Sequence, residues 1–189
     1  MRPIRTALTN SLAGSGSTPF DVRLPKEGDH SGAMSATAGR VRRTSPTTGY
    51  DFSNHRADFA CGYEIDIAPS DDRSPEQWGR AAWEGAPGLV RLFILAGWRF
   101  VLRLRLGPRP SPDHILGWEI VDRRPDETVC QLRSSFLHAY NTFRRADGRL
   151  VWSTYVMYDR PIAKVIWPPA SLFHRPLLRI ALRRAAVHP

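Results

Sequence analysis

The sequence predicts one α+β domain, an antiparallel sheet packed on a long C-terminal helix, that follows a flexible N-terminal tail. Three observations predict it. Between residues 115 and 158, short alternating apolar runs succeed one another with tight turns between them, as in a β-meander. Residues 162–186 carry apolar side chains at helical spacing, with arginines mostly on the opposite side. Residues 1–49 are rich in Ser, Thr, Gly, Pro and Ala and show no useful apolar periodicity. The whole chain has 189 residues, 42% of them hydrophobic and 24% charged, enough for a packed core in one domain of ordinary size.

The tail is assigned to 1–49 and the domain to 50–189. Met34 offers an internal start, and Gly14-Ser15-Gly16-Ser17 is linker composition with no strand before it and no helix after it. Phe59, Cys61, Tyr63, Ile65 and Ile67 alternate with small or polar residues, the period of a half-buried strand. Ser74-Pro75-Glu76-Gln77 is a helix start, with Ser74 as cap, Pro75 in the first turn and Gln77 closing a capping box. Residues 88–106 read as one amphipathic helix whose broad apolar face packs inside. Arg91, Arg99, Arg103 and Arg105 interrupt it, and at about 3 kcal/mol per arginine near a bilayer centre they exclude a spanning helix.

Gly107 to Asp113 carries three prolines and forms a loop. Strands follow at 115–122, 128–133, 136–145 and 150–158, with Asp147-Gly148 as the last hairpin turn. In the third of these Phe136, His138, Tyr140 and Thr142 share one face. In the fourth Trp152, Thr154, Val156 and Tyr158 do, and the two sets are placed together beneath the final helix. Pro168-Pro169 is expected to break or kink that helix, because an interior proline costs about 3 kcal/mol.

The formal net charge is +9, and Lys26 and Lys164 are the only lysines. Arginine looks spread along the chain, which fits the codon usage of a GC-rich genome better than a built anionic-partner surface. The six tryptophans are not interleaved with a basic stripe, so nucleic acid is a disfavoured partner. Cys61 and Cys130 match no metal spacing and read as buried free thiols in a reducing cytoplasm, with a disulfide between them as the alternative. No metal-ligand cluster, phosphate loop or dinucleotide fingerprint is present, so no cofactor is called for.

Four stretches carry a family resemblance: Ser74-Pro75-Glu76-Gln77-Trp78, Trp83-Glu84-Gly85-Ala86-Pro87, Ile115-Leu116-Gly117-Trp118-Glu119-Ile120, and Phe173-His174-Arg175 ahead of Leu182-Arg183-Arg184-Ala185. In order and spacing they resemble the bacterial domain-of-unknown-function family 2867, of the START-like (SRPBCC) helix-grip superfamily. The resemblance spans about residues 50–186 and implies a curved antiparallel sheet gripping the last helix, often around an apolar cavity. It implies no reaction. The three prolines of the last helix and the apolar Phe136-Leu137-His138-Ala139 depart from the family pattern.

His138, Tyr140, Trp152, Thr154 and Tyr158 are the candidate cavity wall: aromatic rings with a few hydroxyls and one imidazole. A solid core with polar tips at its rim is the competing reading. His174 and Arg175, which match the family motif, are candidates for a polar clamp at the cavity mouth. His138 has no acidic or nucleophilic partner on that face, so no catalytic residue is assigned. The sequence thus favours a module for a small hydrophobic ligand. A peripheral module on an anionic membrane surface or a protein partner, built on 88–106 and the last helix, is the alternative, and an enzyme of unknown reaction is third.

Overall fold

The computed structural model describes residues 40–52 and 56–187. The rest of the expected tail, 1–39, lies outside the described residues. Seven strands form one antiparallel sheet: β1 (Arg42–Thr44), β2 (Phe59–Asp66), β3 (His114–Ile115), β4 (Trp118–Arg123), β5 (Glu127–Arg133), β6 (Leu137–Ala146) and β7 (Arg149–Tyr158). Their order across the curved sheet is β1-β2-β7-β6-β5-β4-β3. The last five are a meander, and β2 returns to pair with β7. The helices are α1 (Pro75–Trp83), α2 (Gly88–Ala96), which runs into a π-helical turn at Gly97–Val101, and the C-terminal α3 (Ala163–Val187). The domain is therefore α+β and helix-grip-like, as the periodicities predict.

Local chemistry explains most boundaries. Ser74 accepts from the Gln77 amide, and Gln77 returns the bond to the Ser74 amide, so the capping box forms. Asp147 and Gly148 both adopt positive φ, the backbone that a two-residue hairpin with the right twist requires. Leu116-Gly117 does the same, so the strand expected at 115–122 is two strands folded on a tight turn.

Helices cover one face of the sheet. Gly79 of α1 lies so close to it that a Cβ there would meet Phe143 at 2.9 Å. Trp83 packs on Trp98, Trp118, Phe143 and Trp152, with ring centroids 5.2–5.6 Å apart. This tryptophan cluster is the centre of the core.

Three expectations need correction. The tail boundary at 49 is too late: residues 42–44 form β1, and the chain beyond it lies on the face opposite the helices. Ser153 Oγ and Thr142 Oγ1 donate to the Thr47 carbonyl, and the Gly49 amide donates to the buried Glu127 carboxylate at 2.9 Å. The segment is anchored by backbone bonds, which no side-chain periodicity announces. Second, the helix from 88 ends at 101. Arg103 takes positive φ, and the Arg105 amide turns to the Arg133 carbonyl.

Third, α3 is continuous through Pro168, Pro169 and Pro176. The prolines are exposed, and the carbonyls they leave without an amide belong to Lys164, Val165 and Leu172, which are exposed as well. On the solvent side of the helix water can take the place of the missing amides, which lowers the cost of an interior proline.

Candidate functional site

The register of the sheet decides which candidates meet. In the β6–β7 hairpin, Phe143 stands opposite Trp152, Asn141 opposite Thr154, and Leu137 opposite Tyr158. Directly opposed residues share a face. Trp152, Thr154 and Tyr158 therefore lie on the helix side with Asn141 and Phe143, whereas His138 and Tyr140 lie on the other. Tyr140 packs on Tyr50 and Phe52, and His138 Nδ1 sits 2.9 Å from the Asp159 carboxylate. The expected single wall of His138, Tyr140, Trp152 and Tyr158 is thus divided between two faces. The sequence held the signal: a two-residue turn at Asp147-Gly148 pairs Ala146 with Arg149, so even-numbered residues of β7 face odd-numbered residues of β6.

On the helix side a row crosses four strands: Cys130, Asn141, Thr154 and Cys61. Both cysteines are free and buried. Three strand spacings of about 4.8 Å separate them, so no disulfide can join them. Burial pushes the Cys61 thiol up to about 11. Asn141 Oδ1 accepts from Trp152 Nε1 at 2.8 Å and from Thr154 Oγ1 at 2.7 Å. An indole can only donate, so this oxygen is the acceptor and the Thr154 proton is committed to it.

His174 of α3 extends the chain, with Nε2 3.2 Å from Thr154 Oγ1. Because the threonine has no proton left to give, His174 Nε2 carries the proton and donates. Its Nδ1 is then a bare acceptor with no partner among the described residues. Burial pushes the imidazole down to about 4, so it stays neutral near pH 7.

His174 also lines an open apolar groove of about 670 Å³ between α2 with its π turn and α3. Phe93, Phe100 and Val101 form one side, Trp167, Phe173 and Ile180 the other. Phe93, Phe100 and Phe173 are 67%, 76% and 68% exposed. This overturns the expected inward packing of 88–106, where only Ile94, Trp98, Leu102 and Leu104 are buried. Trp152 is fully buried in the tryptophan cluster and lines no opening. Arg175 lies over the Phe59 ring at 5.4 Å, and Tyr158 is half-buried at the end of β7, where its amide donates to Asp58.

Of the predicted residues, the structure brings together Trp152, Thr154 and His174, and only His174 touches the groove. Asn141, Trp167 and Phe173 were beyond sequence reasoning, the first through the face assignment and the other two because apolar periodicity does not say which side chains border an opening.

No protein-family model and no curated protein matches the chain. A solved structure of an uncharacterised protein from Rhizobium leguminosarum resembles it at 13% identity, covering 78% of this chain and 99% of that one, with a TM-score of 0.33.

Proposed function

We propose that this chain binds a small hydrophobic ligand in the groove between α2 and α3, as a START-like helix-grip module of the family 2867 type. The observation that carries the reading is the groove itself: a wall of aromatic and aliphatic side chains, Phe93, Phe100 and Phe173 exposed at its rim, with His174 among the few polar side chains that line it. An open aromatic groove of this size holds an aliphatic chain or small ring system, and sparse polar groups orient it. At the His174 end the free Nδ1 accepts a hydrogen bond. A neutral imidazole there suits a hydroxyl or amide donor and does not suit a carboxylate, which brings only acceptors. The ligand class that fits is a neutral lipophile with one O–H or N–H.

Displacement of Nile red by 1-decanol and by its methyl ether tests this. Saturable displacement is expected, with the alcohol binding about fivefold more tightly than the ether, the worth of one net hydrogen bond near 1 kcal/mol. The preference should vanish in His174→Phe. Non-saturable probe uptake, or equal affinity of alcohol and ether for the unaltered protein, overturns the reading.

A further inference from the structure

Positive charge in this chain is segregated. Residues 85–112, which contain α2 and the loop after it, and residues 160–187, which contain α3, hold eleven of the 27 lysines and arginines and none of the 18 acids. The remainder, with 16 cations against 18 acids, is close to neutral, so the net charge of +9 comes from these two segments. Codon usage raises the arginine count everywhere and does not place it. The arginines elsewhere are largely matched: Arg42 with Asp66, Arg73 with Asp71, Arg80 with Glu76, and Arg124 with Glu127. Among the described residues, none of these eleven cations pairs with a carboxylate.

Their placement follows the apolar surface. Arg99 and Arg109 line a hollow that shares Phe100 with the groove. On the other flank Arg40, Arg179 and Arg183 line a second hollow that shares Pro176 and Ile180 with it. An apolar strip runs between two cationic margins. Outside the groove the strip continues to Leu89 on α2 and Leu172 on α3, 84% and 69% exposed. A patch of this kind on a folded chain marks an interaction surface. Its charge pattern is that of an interfacial helix, with apolar side chains for the acyl boundary and arginines for anionic headgroups. No helix among the described residues is long and apolar enough to cross a membrane.

We propose that the α2–α3 face docks on an anionic lipid bilayer, with the groove mouth turned toward the lipid. A second copy of the chain fits less well, since a self-complementary contact would set these unpaired arginines against one another with no acid between them. Docking goes beyond ligand binding and does not require it, and vesicle pelleting reads it without reference to groove occupancy.

The test is co-sedimentation of the full chain with vesicles of phosphatidylcholine alone or in equimolar mixture with phosphatidylglycerol. The protein is expected to pellet with the mixed vesicles and to be released as salt rises from about 0.1 M to about 1 M, where screening is nearly complete. Reversing charge in Arg99→Glu/Arg179→Glu/Arg183→Glu should weaken partitioning by about two orders of magnitude or more. Leu89→Ser/Phe93→Ser/Leu172→Ser should weaken it at least about tenfold. All six positions are exposed, so circular dichroism should confirm intact folds. Three results overturn the proposal: no pelleting, equal pelleting with phosphatidylcholine alone, or sedimentation velocity showing a dimer that the serine variants dissolve while vesicle binding is absent.

Discussion

The two ends of the helical layer are built from the same residue types and reach opposite outcomes. Beneath α1, four tryptophans and Phe143 close on one another and are almost fully buried, and the nearby arginines meet acids: Arg80 bridges Glu76 and Glu84, and Arg123 reaches Glu76 and Asp113. On the outer side of α2 and α3, Leu89, Phe93, Leu172 and Phe173 stay in solvent, and the arginines lack carboxylates among the described residues. The first region spends its apolar surface on folding. The second leaves it open, and burying it would stabilise whatever covers it by about 25 cal/mol per Å². A residue's contribution to the fold is therefore set here by location rather than by type.

The largest effect should come from the closed region. Trp152→Ala removes a fully buried ring and the donor to Asn141, and denaturant unfolding should show a loss of about 3–5 kcal/mol. A loss below about 1 kcal/mol would mean that the interior is not solid and would erase the contrast.

Next is the segment that crosses the other face of the sheet. A chain beginning at residue 50 should be less stable than one beginning at 40 by about 3 kcal/mol. It loses β1, the Thr47 clamp and the amide that the Glu127 carboxylate accepts, and hydrogen bonds to a charged group are worth about 1.5–3 kcal/mol each. Equal midpoints in urea would return residues 40–49 to the tail.

His174 sits where the two regions join, and acid should separate its contribution. Its folded pKa of about 4 lies below the ordinary 6.5, so the unfolded chain binds the extra proton first. Stability is full above pH 6.5 and falls as pH drops toward 4, by roughly 2 kcal/mol at pH 5. Urea titrations at pH 7 and pH 5 should show this for the unaltered protein and a flatter response for His174→Gln. A response unchanged in the variant would assign the slope to other groups.

Gly79→Ala tests the tightness of α1 on the sheet. The added methyl meets Phe143 and Ile115 within 3.2 Å, and crowding should outweigh the gain in helix propensity for a net loss of about 1 kcal/mol by thermal melting. The smallest effect belongs to the open region. Phe93→Ser should change folding stability by less than about 0.5 kcal/mol, because that ring contributes to no core. A loss comparable to that of Trp152→Ala would make the rim part of the fold.

Much of the fold was legible in the sequence because its signals are local. The alternation of Phe59 to Ile67, the Ser74 capping box and the Asp147-Gly148 turn each fix their own few residues. Face and exposure are not local. Period two gives two faces and does not say which one a neighbouring strand presents, which is how His138 and Tyr140 came to be grouped with Trp152. An amphipathic pattern likewise marks 88–101 as apolar on one side and does not say whether anything covers it. The candidate site was legible only at Thr154 and His174, where a hydroxyl and an imidazole can meet through a sheet-to-helix contact that register determines.

The proposed ligand site lies between α2 and α3 and not beneath the sheet. A crystal structure grown with 1-decanol tests it most directly. A chain of density is expected along Phe93, Phe100 and Phe173, its hydroxyl oxygen within hydrogen-bond distance of His174 Nδ1. Density among Trp83, Trp118 and Trp152, or an empty groove at saturating alcohol, would contradict it.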